Sequence, residues 1–273
     1  MARRLPLEIP QSVEELTAGW LTDAVRSSGL ARDASVVAFK AGSPGSGVGF
    51  QGQTIRVSLD WDVDEPDAPA AVLVKFPSAN RGNRGLGEAE GAYDREFDFY
   101  ERFSADFPVR VPRLVYSVRD PGAPQAVRKR QERIVNGLPA PLLRFIGRHA
   151  RRLLRASNRR YVLVLEYVPD ARVTTALDLP PEDDLSTILA TLARMHAHYW
   201  RRSVLADKTV IEWSMVTQMP NAMNGVYRAW RDDVVLRDPA VFTERFMRHA
   251  DWFRDHIVEL VVHLDEPLTF RHG

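Results

Sequence analysis

The chain contains no cysteine, which removes disulfides, thiolate metal sites and thiol nucleophiles together. That absence accords with a reducing compartment. An excess of one charge sign is missing too: 37 Lys and Arg stand against 36 Asp and Glu, for a formal net charge of +1. Neither a disordered chain nor a surface given over wholly to nucleic acid is expected from that balance. No apolar run approaches the ~18 residues of a bilayer span, and Pro6, Glu8 and Pro10 interrupt the apolar stretch that a secretion signal needs after Arg3 and Arg4. A soluble, cytoplasmic protein is the expectation. What is present, 273 residues of which 45% are hydrophobic, suffices for one large domain or two modest ones with a sizeable core.

The spacing predicts a helix over 12–29, with Ser12 as N-cap, Glu15 as its capping-box partner and Gly29 as the stop. A short strand follows at Val36–Phe39, and then a glycine-dense stretch from Gly42 to Gln53. From Thr54 to Val63 apolar and polar residues alternate, the period of a half-buried strand. A Pro- and Asp-rich turn leads to the apolar run 71–76, so the two strands are expected to form an antiparallel hairpin. A loop over 80–87 and a helix over 88–104 come next, the helix with an apolar stripe of Ala89, Ala92, Phe99 and Phe103 that also contains Glu96. Strands are predicted at 113–118 and 161–168 and helices at 182–200, 221–232 and 240–264. A small sheet with one helix followed by helices makes an α+β, two-lobed chain.

The basic residues are unevenly placed. Residues 128–160 carry eleven Arg or Lys against the single acid Glu132, a net +10, so the remainder carries −9. Leu142, Leu143, Ile146, Leu153 and Leu154 recur within this segment at near-helical intervals, as in a basic amphipathic helix. Two readings stand: a solvated insertion packing its Leu face on the sheet, or a patch for an anionic lipid, nucleic acid or ligand through Arg144, Arg148, Arg151, Arg152 and Arg155.

Gly47, Gly49 and Gly52 match GxGxxG, and Gly47 to Thr54 nearly match a Walker A loop, with Gln53 where its lysine must be. A dinucleotide turn or a P-loop opens a helix, whereas this loop opens an alternating strand. A glycine loop between antiparallel strands is the kinase arrangement, in which flexible backbone covers nucleotide phosphates. Lys75 lies inside Val-Leu-Val-Lys-Phe, where an ammonium is costly without a partner. Glu96, in the apolar stripe of the next helix, has the same difficulty. The economical solution is an ion pair between them.

These stretches, with Tyr93–Tyr100, Val111–Tyr116, Tyr161–Val168 and Leu192–Trp200, resemble the aminoglycoside phosphotransferase and choline kinase-like superfamily, most closely its ecdysteroid kinase-like (CHK kinase-like) branch. The resemblance spans residues ~12–273 and implies a protein kinase-like fold. It divides the chain into an antiparallel-sheet N-lobe over 1–168, with a basic insertion at 121–160, and an incomplete, mostly helical C-lobe over 169–273. It further implies that Gly47, Gly49 and Gly52 cover ATP, that Lys75 and Glu96 pair to aim the amine at the phosphates, and that Glu166, Tyr167 and Val168 form a hinge hydrogen-bonded to adenine. The acceptor in that family is a hydroxyl of a small molecule, with Mg²⁺ assisting.

The resemblance also has a gap. The family's catalytic loop begins His-Gly-Asp and continues to an Asn and an Asp that hold magnesium, and here His272 and Gly273 are the final residues. The sequence therefore reads as a truncated kinase, with the catalytic Asp expected directly after Gly273 and no metal ligand in the chain. Two alternatives remain: a nucleotide-binding pseudokinase, and a non-enzymatic module that binds anionic lipid or nucleic acid through 128–160. The histidines promise no metal site. His196 is expected in the core on the stripe of Leu185, Leu189 and Leu192, with His198 pointing elsewhere, and His249, His256 and His263 are about 10 Å apart at helical rise. Trp200, Trp213, Trp230 and Trp252 are expected to be core more than ligand cage.

Overall fold

The computed structural model describes residues 8–42, 52–169, 171, 180–201, 219–237 and 242–263. Five strands, β1 (Val36–Ala41), β2 (Gly52–Trp61), β3 (Ala71–Pro77), β4 (Leu114–Arg119) and β5 (Tyr161–Glu166), form one antiparallel sheet in the order β1-β2-β3-β5-β4. The hairpin expected on either side of residues 64–69 is present, with Ile55 opposite Val74 and Thr54 opposite Lys75. With this sheet and eight α-helices among the described residues, the chain is α+β.

Alternation gives the sheet two dissimilar faces. Ile55, Val57 and Leu59 of β2, Val72 and Val74 of β3, and Val162 and Val164 of β5 are buried on one face. They pack with Trp20, Leu21, Ala24 and Val25 of α1 (Ala18–Ser27). The first helix is shorter than the 12–29 expected. Thr17, not Ser12, caps it by accepting from the Trp20 N–H at 3.1 Å, and residues 13–15 form only a turn of 3₁₀ helix.

The second face is covered by α3 (Ala92–Arg102), whose Tyr93 and Phe97 cluster with Tyr161, Leu163 and Leu165. The single helix predicted over 88–104 is in fact two. Residues 81–87, expected as loop, join 88 and 89 in α2 (Arg81–Ala89), capped by Asn80 Oδ1 accepting from the Gly82 and Asn83 N–H groups at 3.0 Å. Gly91, at φ +69°, breaks the chain between α2 and α3. The stripe consequently shifts: Tyr93, Phe97 and Tyr100 pack with the sheet residues while Ala89, Ala92 and Phe99 are not buried, and of the expected stripe only Phe103 is buried.

The chain divides into two compact units, Met1–Glu88 with Ala92–Gly122 and Ala156–His198, and Ala89–Gly91 with Ala123–Arg155 and Tyr199–Gly273. The sheet lies in the first. The second holds α4 (Gln125–Asn136) and α5 (Ala140–Leu153), into which Gly137 to Pro139 divide the basic segment, with α7 (Pro220–Arg237) and α8 (Glu244–His263). Helices α5 and α7 approach closely through glycines. A Cβ at Gly225 would lie 2.6 Å from the Leu143 Cβ, and one at Gly147 would lie 2.9 Å from the Val226 Cα. The Trp230 indole donates to the Gly147 carbonyl at 3.1 Å. Arg228 with Asp255, and Arg231 with Asp251, join α7 to α8.

Helix α6 (Glu182–Tyr199) departs from the expected core stripe. Leu185 and Leu189 are exposed, and His196 beside them is half-buried. Among the described residues no helix is long and apolar enough to cross a membrane.

The α5–α7 contact leaves no room for a side chain, so Gly225→Val should destabilise the second unit by roughly 1–3 kcal/mol through overpacking. Hydrogen exchange is expected to accelerate at α5 and α7 amides while β2, β3 and β5 amides keep their protection; uniform acceleration over both units would contradict this.

Candidate functional site

Lys75 sits in β3, the central strand of the five, opposite Thr54 of β2 and Leu163 of β5. Residues directly opposite in an antiparallel pair share a face. Thr54, Arg56, Leu73 and Lys75 therefore lie on the face that α3 covers. That cover reaches β5 and Leu73 but leaves Arg56 of β2 exposed, so the face is closed on one side and open on the other.

Glu96 reaches into this face from α3 and accepts a hydrogen bond from Lys75 Nζ. The lysine and glutamate side chains retain 28% and 35% of their exposure, so the pair is not sealed and the ammonium keeps donors for an outside group. Two aromatic residues flank Glu96 at helical spacing. The Tyr100 hydroxyl is pushed up to about 12 by burial first and by the Glu96 carboxylate second, and burial also raises Tyr93, whose hydroxyl accepts from the Ser78 N–H at 3.3 Å.

The outer face of α3 is clamped by arginines. Asp94, Asp98 and Glu101 follow one another at i, i+4 and i+7, and all three meet Arg119 at the end of β4. The Arg119 guanidinium donates to the Asp94 carbonyl at 2.9 Å and to Asp98 Oδ1 at 2.6 Å. Arg159, just before β5, donates to both Asp94 carboxylate oxygens at 2.9 and 3.1 Å and lies 4.7 Å over the Tyr161 ring. This network sets the position of α3 along the sheet, and with it the position of Glu96. The sequence reading missed both arginines, although three acids at one-turn spacing were a legible sign that a cation must face them.

The expected hinge leaves the sheet at the end of β5. Glu166 Oε2 accepts from the Arg113 N–H at 3.0 Å, and the Arg56 guanidinium lies 4.4 Å over the Tyr167 ring. Among the described residues the Val168 N–H has no hydrogen-bond partner. A cavity of about 590 Å³ adjoins this segment, lined by Leu30, Arg56, Val72, Arg113, Glu166 and Tyr167 among others. Lys75 and Glu96 do not line it, so it is separate from the ion pair.

Of the glycines, Gly52 begins β2, where a Cβ would come within 3.1 Å of the Phe76 carbonyl oxygen. Strand pairing alone thus accounts for that residue. Gly47, Gly49, Trp213, His272 and Gly273 lie outside the described residues. Among the described residues no group of three or more His, Asp or Glu side chains could hold a metal ion, so they offer no magnesium cradle. His249 and His256 each engage a backbone carbonyl one turn earlier at 2.7 Å through Nδ1. Trp200 and Trp252 are exposed, against expectation, whereas Trp230 is half-buried against α5.

Raised tyrosines make the α3 face sensitive to alkali. The folded protein keeps the Tyr100 proton up to about 12, while the unfolded chain releases it near 10.0. Stability from this group is full below 10.0 and is lost as pH rises through that interval. The melting temperature should fall over this range, and Tyr100→Phe should fall less steeply; equal slopes would contradict the assignment. No protein-family model, curated protein or solved structure matches this chain.

Proposed function

We propose that this chain is the nucleotide-binding part of an ATP-dependent phosphotransferase of the aminoglycoside phosphotransferase and CHK kinase-like type, built on a protein kinase-like N-lobe. The carrying observation is the Lys75–Glu96 pair on the open face of an antiparallel sheet whose first two strands flank a glycine-rich segment. A lysine on the third strand, a glutamate on the following helix and a glycine loop before them are the parts that hold ATP phosphates in kinases. Glu96 neutralises and orients the ammonium, and the ammonium meets the phosphates as a directed point charge.

Adenine would lie against the hinge, with Val168 donating its free N–H and the Arg56–Tyr167 stack bordering the base. The acceptor, a hydroxyl of a small molecule, follows from the sequence resemblance alone. The acids that serve catalysis and hold magnesium in that family correspond to no residue of this chain, so no step is assigned to the metal and binding is the claim put to test.

Isothermal titration with ATP should give saturable binding. Replacing Lys75 by Met removes a charged hydrogen-bond donor and should weaken binding at least about tenfold; Glu96→Gln should weaken it less, because the ammonium remains while its orientation is lost. Both variants should keep the wild-type helix content. Wild-type protein that gives no heat with ATP, or a Lys75→Met protein that binds as well as wild type, would sink the proposal.

A further inference from the structure

The second unit carries a feature that nucleotide binding does not use. On α5, Leu142, Phe145 and Leu153 are 43%, 54% and 50% exposed. At 3.6 residues per turn they fall within about a quarter-turn of one another, and Arg144, Arg148 and Arg152 fall within the adjoining quarter-turn, with Arg155 just past the end of the helix. All four arginines are exposed. Among the described residues no carboxylate pairs with Arg144, Arg152 or Arg155. On α4, Val127 and Ile134 are 44% and 56% exposed beside Arg130.

The orientation of α5 is fixed. Its other side is locked by Gly147 against Val226, by Leu143 against Gly225 and by the Trp230 indole, so the helix cannot rotate to hide the apolar residues without breaking that contact. The sequence expectation of a Leu face packed on the sheet holds for neither Leu142 nor Leu153. Leu143 is buried, but against the helices of its own unit, with Met219 and Ala222.

We infer that this face of α5 is a docking surface for an anionic lipid bilayer. Guanidinium groups beside an apolar stripe match an interface in which headgroup phosphates lie next to acyl chains. Nucleic acid would engage the arginines but leave Leu142, Leu153, Val127 and Ile134 unsatisfied, because aliphatic side chains do not stack on bases. A second copy of this face would bring like charges together, since residues 123–155 carry nine Arg or Lys and one acid.

The test is flotation of the full chain with phosphatidylcholine vesicles containing about 30% phosphatidylserine, compared with pure phosphatidylcholine. Binding is expected to the anionic vesicles only and to weaken with salt. Each arginine removed should lower partitioning about fivefold, so Arg144→Gln with Arg152→Gln should cost about 25-fold. Leu142→Ser with Phe145→Ser should cost at least about tenfold with circular dichroism unchanged. Because the chain has no cysteine, Phe145→Cys accepts one environment-sensitive fluorophore, whose emission should shift to the blue on vesicle addition. Three results would overturn the inference: equal partitioning to both vesicles, no loss in the Leu142/Phe145 variant, or tighter binding to a DNA or RNA oligonucleotide than to vesicles.

Discussion

An ammonium in the middle of a sheet is the constraint from which most of the first unit follows. Lys75 interrupts an apolar strand, and a charge there is tolerated only with a partner at hand. Glu96 is that partner, and it must come from outside the sheet. Helix α3 therefore has to lie on one face at one height, its Tyr93 and Phe97 buried on β5 and its glutamate above β3. The apolar core on the opposite face is filled by α1.

Burial alone would let α3 slide along the sheet, since Tyr93, Phe97 and Tyr161 form a broad aromatic contact. The arginine clamp restricts that freedom. Arg119 spans Asp94, Asp98 and Glu101, and Arg159 grips both oxygens of Asp94 in the bidentate geometry that gives direction as well as attraction. These groups are partly exposed, so each pair alone contributes modestly. Their collective effect is registry: loosening the clamp moves Glu96, and moving Glu96 releases the lysine.

The sheet was largely legible in the sequence because period-2 alternation and a Pro- and Asp-rich turn are local signals. The order of the strands was not, because it depends on pairings between β3 and β5 that are 88 or more residues apart in the chain. Helix α2 was hidden by Gly82, Gly85 and Gly87, which argue for a loop. Gly87 is there because a larger side chain would press on the Tyr93 ring at 3.2 Å. The Lys75–Glu96 pair was readable from two misplaced charges. Arg119 and Arg159 were not, since nothing local to either residue announces its partners in α3. In the second unit, Leu143 was readable as core, but the glycine contacts that turn Leu142 and Phe145 outward belong to tertiary packing and left no periodic trace.

The central claim is that the lysine held by Glu96 faces ATP phosphates. The chain has four lysines, Lys40, Lys75, Lys129 and Lys208, so a single labelling experiment can separate them. An acyl-phosphate derivative of ATP transfers its acyl group to a lysine amine lying beside the bound phosphates, forming an amide and releasing ATP, and peptide mass spectrometry locates the product. The account predicts acylation at Lys75 above the other three, suppressed by excess ATP. Labelling spread over Lys40, Lys129 and Lys208 with Lys75 no more reactive than they are, or unaffected by ATP, would contradict it.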